Sequence, residues 1–443
     1  MKKSIFNFKL FIAIIAISLS YNALGQRDKI DNLRPYDKEG INIFEAPKDS
    51  DTEFDGIRLR FGGAFTQQFQ ALENENTPFT DSTGTVNLIN ALNPGFNLAT
   101  ANLNIDVQLA DGIALNMITY LSSRHHPETW VRSGYIQFDK LPFIKNETVN
   151  SLMEKFTIKV GHMEVNYGDA HFRRTDNGNA MYNPFVGNYL IDAFNTEIGA
   201  EILYRKNGVI GLLGITGGEI NGNVADLDPN NVGSTETDDK LARSPSFIGK
   251  LGYDSQVNED LRLRLTGSVY YTASSARNHM LDGDRGGSRY YLVLSEPGAR
   301  ASSDFRTGRY NPSFGDELSL FMGNLFLKFK GLEVFGIVET GKGKNSNEAS
   351  SRNYMHIATD LVYRFGKDEN VFIGGRYNTV KADDTSGEEI TINRYQIGAG
   401  WFITKNILTK LEYVNQEYKD FPAASRFADG KFNGIMIEAV VGF

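Results

Sequence analysis

The last ten residues, Gly434 to Phe443 (GIMIEAVVGF), decide the fold. Read from the end, Phe443, Val441, Ala439, Ile437 and Ile435 take alternate positions, and Gly442, Val440, Glu438, Met436 and Gly434 take the others. Successive side chains of a β-strand point to opposite faces, so this stretch has one wholly apolar face and one that carries an acid. The apolar face suits lipid, and the face with Glu438 suits water or polar partners. A soluble sandwich also ends on strands, but seldom on a Phe behind four apolar positions of the same face.

The alternation recurs upstream. Ile57, Leu59 and Phe61 alternate with Arg58, Arg60 and Gly62, and Leu103, Ile105, Val107 and Leu109 alternate with Asn104, Asp106 and Gln108. Leu261, Leu263 and Leu265 alternate with Arg262 and Arg264, and Met355, Ile357, Leu361 and Tyr363 share a face opposite His356, Asp360 and Arg364. Ile158 and Val160 flank Lys159. Isolated charges on a second face are costly in a dry core and cheap against a water-filled lumen. The reading is an all-β chain, a transmembrane antiparallel β-barrel of about 16 strands, an even number that leaves both termini periplasmic. The strands are expected near 55–71, 97–110, 113–122, 131–140, 155–165, 195–206, 209–219, 246–255, 260–273, 317–330, 332–341, 353–366, 370–380, 390–403, 407–418 and 432–443.

Connections support this order. Short breaks such as Asp111-Gly112, Asn207-Gly208 and Lys330-Gly331 alternate with long polar stretches at 73–95, 122–130, 166–194, 220–245 and 274–316. Short periplasmic turns and longer outer loops are the asymmetry of bacterial barrels. The connection 140–154 (LPFIKNETVNSLMEK) is longer than its siblings and is expected to hold a short helix. The chain thus divides into a leader at 1–25, a periplasmic N-terminal extension at 26–54 and a barrel at 55–443. The extension is within reach of the barrel mouth but too short for a globular plug.

The leader reads as a secretory signal: Lys2, Lys3 and Lys9 precede the apolar run Leu10 to Leu19, and Ala23-Leu24-Gly25 offers small residues for cleavage before Gln26. A spanning helix needs roughly 20 apolar residues, more than this run supplies. The chain of 443 residues has 44 glycines, 20 tyrosines and 30 phenylalanines spread along it, a composition for many short strands rather than disorder. It has no cysteine, which excludes a disulfide scaffold, a thiolate metal site and a lipid-modified N-terminus. Its formal charge is −8, or −11 without the leader, which argues against nucleic acid as a partner.

The connection Asn166 to Phe194 (NYGDAHFRRTDNGNAMYNPFVGNYLIDAF) follows the fifth strand and carries Asp169, His171, Arg173, Arg174 and Asp176. Either it folds into the lumen as a pore constriction, packed through Met181, Tyr182, Phe185 and Tyr189, or it is an exposed loop with solvated arginines. Basic residues also fall on the inner faces: Arg58, Arg60, Lys159, Arg262, Arg264, Arg364, Arg376 and Arg394, with Lys328 and Lys410, against Asp106, Asp360, Glu412 and Glu438. These either set a field that favours anions or pair across strands and stiffen the wall. His125-His126 with Glu128 reads as a solvated loop rather than a metal site, because neighbours on a strand face opposite ways. No nucleophile triad or HExxH motif is present, and Gly283 to Gly287 (GDRGG) lacks the strand–helix context of a phosphate cradle. No cofactor or metal is expected, nor an enzyme.

The stretches Phe156 to Tyr167 (FTIKVGHMEVNY) and Trp130 to Phe138 (WVRSGYIQF) resemble segments of the phosphate-selective porin O/P family and its Bacteroidetes relatives, and Gly25-Gln26 is similar to the leader ends of that group. The aromatic terminus Phe443 resembles the recognition signal of bacterial outer-membrane barrels. The likeness implies a trimeric 16-stranded barrel with the loop after strand five in the pore. The family's ladder of Arg and Lys is not matched residue by residue, and the loop 166–194 is poor in lysine. The functional expectation is an outer-membrane diffusion channel for small hydrophilic solutes, a homotrimer set in outer-membrane lipid and lipopolysaccharide, with a weak anion preference. The alternatives are a transporter of hydrophobic substrates similar to the long-chain fatty-acid transporters, and an outer-membrane hydrolase.

Overall fold

The computed structural model describes residues 30–48, 53–80, 82–84, 86–96, 100–121, 129–217, 244–275, 277–283 and 288–443. The leader at 1–25, the His125-His126 pair, most of the connection 220–245 and residues 284–287 lie outside the described residues.

Period-two stretches become strands. They are β1 (Arg58–Glu75), β2 (Gly95–Phe96), β3 (Thr100–Ala110), β4 (Ile113–Leu121), β5 (Thr129–Phe138), β6 (Phe156–Glu164), β7 (Thr196–Lys206), β8 (Val209–Thr216) and β9 (Ser246–Gln256). They continue as β10 (Leu261–Thr272), β11 (Glu317–Phe329), β12 (Leu332–Lys344), β13 (Arg352–Phe365), β14 (Val371–Asp383), β15 (Glu389–Thr404), β16 (Ile407–Lys419) and β17 (Lys431–Gly442). The two-residue β2 and β3 lie end to end along β1, with Phe96 opposite Phe69 and Thr100 opposite Thr66, so together they make one position in the wall. Each strand pairs antiparallel with its sequence neighbours, and β17 returns to β1 in a register from Ala64 opposite Gly442 to Glu75 opposite Lys431. Gly63 N–H donates to Phe443 O at 2.8 Å and Phe443 N–H donates to Gly63 O at 2.9 Å, which completes the seam. The result is a closed sixteen-stranded antiparallel barrel. A closed sheet satisfies its backbone groups internally, the condition for crossing lipid.

The two faces divide as their residues require. On β17, Ile435 and Ile437 point outward, while Met436, Glu438 and Val440 are fully buried within the barrel. Leu213 and Leu251 are 70% and 74% exposed on the outer wall, a costly position in water and a favourable one in hydrocarbon. Among the described residues no helix is long and apolar enough to cross a membrane. At one end the strands join by tight turns. Asn207 and Gly208 link β7 to β8 with φ of 51° and 81°, the pair of positive angles that a two-residue hairpin turn demands. The connection after β5 holds α1 (Glu147–Met153), whose first turn is capped by the Asn146 side chain, which accepts from Thr148 N–H at 2.9 Å and Val149 N–H at 3.2 Å. This short-turn end contrasts with the long-loop end opposite.

The hydrophobic core lies inside the barrel. Phe326, Phe335, Phe432 and Met436 of the wall pack with Phe44 of the N-terminal extension, Tyr189 and Leu190 of the loop after β6, and Tyr290 and Leu294 of the connection after β10. The inner face is therefore not uniformly polar. Where Phe44, Tyr189, Leu190, Tyr290 and Leu294 enter the lumen, the wall meets them with apolar side chains.

Candidate functional site: the packed lumen

The loop between β6 and β7 runs through the barrel interior and is held largely by its backbone. Lys410 on β16 donates to the carbonyls of Ala180 (3.1 Å), Asn183 (3.1 Å) and Phe185 (2.9 Å). Arg376 on β14 donates to Gly187 O at 2.9 Å, and Arg394 on β15 to Asn188 O at 2.6 Å. From the acidic side, Glu412 on β16 accepts the Val186 N–H at 2.8 Å, and Asp360 on β13 accepts the Tyr189 hydroxyl at 2.8 Å. A loop has no sheet partner for its carbonyls and amides, and buried ones left unpaired are costly, so the wall's charges satisfy them.

The residues of that loop singled out in the sequence go to separate places. Asp169 accepts both arms of Arg264 at 2.8 Å and the Thr266 hydroxyl at 2.7 Å. The His171 ring contacts Glu164 through Nδ1 and Asn166 through Nε2. Arg173 turns toward the N-terminal extension, donating to Asn42 Oδ1 between the rings of Phe326 and Phe335, with Glu333 at 3.5 Å. Arg174 turns the other way and makes two parallel 2.7 Å bonds to Asp192, a staple within the loop. Asp176 pairs with Arg132 of β5 at 3.0 Å. The two adjacent arginines thus do not act together on one space.

The wall cations are paired in the same manner. Arg60 meets Asp106 at 2.7 Å, Lys159 meets Glu201 at 2.8 Å, Arg262 meets Asp254 at 2.7 Å, Arg364 meets Glu333 at 2.7 Å and Arg376 meets Asp360 at 2.6 Å. Lys410 pairs with Glu438, and Lys328 with Glu369 at 2.7 Å. Arg58 sits at the rim with Asp55, and Arg394 donates to Gln416 at 2.6 Å and to loop carbonyls. Of the two alternatives the sequence left open, pairing across strands is what the geometry displays at these positions.

The sequence places the N-terminal extension at the barrel's mouth, and residues 30–48 penetrate further. The Tyr36 hydroxyl donates to Asp106 at 3.0 Å beneath the Arg60 guanidinium, and Arg34 lies 3.6 Å above the Tyr182 ring. Arg262 donates to Asn42 O at 2.9 Å. Glu45 takes both arms of Arg264 at 2.7 and 3.1 Å and lies 3.2 Å from Lys250. Burial pushes the Glu45 carboxyl up, but Arg264 and Lys250 pull it down by more, so it stays well below the usual carboxylate range. Lys48 reaches the carbonyls of Met153 and Phe156 beside α1. Burial, the largest cause, lowers its ammonium to about 8, with nearby Arg205 and Lys140 assisting and Asp139 opposing.

Two cavities flank this extension. An inner one of about 190 Å³ is lined by Arg34, Arg132, Lys159, Arg174 and Arg205 together with Glu45, Glu164 and Asp176. A second, of about 440 Å³, opens at the short-turn end beside Lys48, Arg205, Asp254, Arg262 and Arg264. Phe44, Glu45 and Arg205 line both, so Phe44-Glu45 together with the Arg205 side chain stands between the two cavities. Space of this size beside unbalanced polar groups holds several waters.

Sequence reasoning passed over Asn42, Phe44, Glu45, Arg132, Lys250, Asp192 and Glu333. One signal was available: Ile41 to Ala46 (INIFEA) holds four apolar residues in six, and a largely charged tail has no use for a large aromatic ring unless something buries it.

No protein-family model matches the chain, and no curated protein does. Solved structures do resemble it. A loop L8 deletion mutant of OmpT, an outer membrane protein of Vibrio cholerae, superposes with a TM-score of 0.50 and 10% identity over 88% of this chain and 100% of that one. An anion-selective porin from Comamonas acidovorans gives 0.49 and 8% over 87% and 100%. The outer membrane channel DcaP of Acinetobacter baumannii gives 0.49 and 12% over 88% and 98%. At such identities the likeness is one of fold. The chain is a closed sixteen-stranded barrel of the outer-membrane type, with a lumen packed by its own loops and N-terminal extension around polar cavities.

Proposed function

We propose that the chain is a non-enzymatic outer-membrane porin that passes small hydrophilic solutes, exported by its leader at 1–25. The carrying observation is the charge-lined inner cavity, which lies inside the membrane-spanning wall and is separated from the opening at the short-turn end by Phe44, Glu45 and Arg205. Five cations and three carboxylates face it, with Lys159 and Arg174 held from behind by Glu201 and Asp192, and the positive groups that face the space support a weak preference for anions. The residues Asp169, His171, Arg173, Arg174 and Asp176 then act as builders of the constriction, since each is engaged with a neighbour. In this reading the short-turn end is periplasmic, and lipid and lipopolysaccharide surround the wall. Membership of the phosphate-selective porin O/P family and a homotrimeric assembly are the finer readings that the sequence resemblance favours, and native mass spectrometry in detergent checks the trimer.

Planar bilayers test the channel. The purified chain is expected to give discrete conductance steps, and a variant lacking residues 26–48 larger ones. Absence of steps from both overturns the reading. With a salt gradient the reversal potential should fall on the anion side. If an Arg173→Ala/Arg174→Ala variant leaves that potential unchanged, the loop arginines have no part in selectivity.

A further inference from the structure

We infer that Glu45 is a built-in stand-in for the solute, and that Lys250 and Arg264 form a lumen site for an aromatic monocarboxylate that displaces Phe44-Glu45. This deepens the channel reading and rests on it. Three cations and three carboxylates meet here: Lys250, Arg262 and Arg264 against Asp169, Asp254 and Glu45. The wall and the loop after β6 supply all but Glu45. With Glu45 withdrawn, the balance leaves one buried positive charge, and such a charge requires an anion or water in its place.

The geometry defines the chemistry of that anion. Arg264 donates through Nη2 to Glu45 Oε1 at 3.1 Å and sets Nη1 2.7 Å from Oε2 as a charge contact, so both carboxylate oxygens lie against one guanidinium. Lys250 stands 3.2 Å from Oε1. A second acid, Asp169, already occupies the opposite side of both cations, so a dianion such as phosphate meets more repulsion than a monoanion does. Beside the carboxylate, the Phe44 ring sits edge-on to Phe172 at 5.7 Å and to Phe326 at 5.2 Å, and Arg264 lies 4.3 Å above it. A ring adjoining a carboxylate reproduces both halves of what Phe44-Glu45 places there. Because that stretch, together with the Arg205 side chain, stands between the two cavities, the competitor that binds its site also joins them into one passage.

The test uses the full chain with benzoate as probe. Ala46 lines the inner cavity and the chain has no other thiol, so an Ala46→Cys variant reports displacement through its rate of reaction with a bulky maleimide, with no need of a current. Benzoate is expected to speed that labelling saturably, by at least tenfold, whereas phosphate and benzyl alcohol at matched concentration and ionic strength do not. Adding Lys250→Met or, separately, Arg264→Gln should abolish the benzoate effect, and the two substitutions guard against one of them failing to fold. In bilayers, Glu45→Gln should open more often than the native chain and gain nothing further in opening from benzoate. Labelling that ignores benzoate, or that responds equally to phosphate or benzyl alcohol, overturns the site. If labelling responds but no variant conducts, the channel reading falls while the site stands. If the channel conducts and labelling ignores benzoate, the reverse holds.

Discussion

Of the segments that fill the barrel, the loop after β6 and the N-terminal extension are held differently. The loop after β6 is gripped by the wall: Lys410, Arg376 and Arg394 reach out to its carbonyls, and strands anchor it at both ends. The N-terminal extension is held at its backbone as well, by Arg262 at Asn42 O and by Arg205 at the Glu45 and Ala46 carbonyls, but it adds side chains of its own, chiefly Tyr36, Glu45 and Lys48, and runs into a strand only at β1. Backbone held by many fixed donors cannot leave without exposing several buried charges at once. A segment anchored in a strand at one end only can leave by exchanging its contacts for those of a ligand, without unravelling the sheet. In the proposed channel the first arrangement serves as a permanent constriction and the second as a removable stopper.

The largest expected effect comes from breaking the grip on the loop. Arg376→Met leaves Asp360 buried without its cation and frees Gly187 O, which should cost about 3–5 kcal/mol of stability in chemical denaturation. Arg376→Met/Asp360→Leu should recover much of it, because no lone charge remains. A single variant as stable as the native chain would dissolve the contrast between the two segments. An intermediate effect is expected at the stopper. Tyr36→Phe removes one hydroxyl bond to Asp106, worth about 2 kcal/mol, and should raise the opening frequency in bilayers roughly 30-fold without loss of global stability.

The smallest effect is one of pH. The Lys48 ammonium is held down to about 8 in the docked extension against an ordinary 10.5, so the free extension binds the extra proton between these values. Docking therefore strengthens as pH rises from 8 to 10.5 and loses that contribution as pH falls through 8. Openings should be rarer at pH 10 than at pH 7.5, and Lys48→Met should remove the difference. No dependence would place Lys48 in water rather than against Met153 and Phe156, and a dependence of opposite sign would mean that Asp139, not burial, dominates its charge.

Much of the wall was legible in the sequence because its signal is local. Period two at Gly434 to Phe443 assigns each side chain to lipid or lumen with no knowledge of its partner, and Asn207-Gly208 reads as a hairpin turn on its own chemistry. The strands came within a few residues of those expected, and α1 lies in the one connection whose length departed from its siblings. The lumen was not legible in the same way. Arg173 and Arg174 are adjacent and chemically alike, yet one faces Asn42 and the other Asp192. Nothing local separates them.

The sequence alone therefore determined the barrel, its strand order and which residues face inward, since alternation and turn chemistry act over two to ten residues. The tertiary structure alone decided what the inward residues do. Glu45 and Arg264 lie 219 positions apart, and only closure of the wall sets them 2.7 Å from each other. Charges that read as a field for passing ions become, at that distance and out of water, partners that hold a loop and a stopper in place.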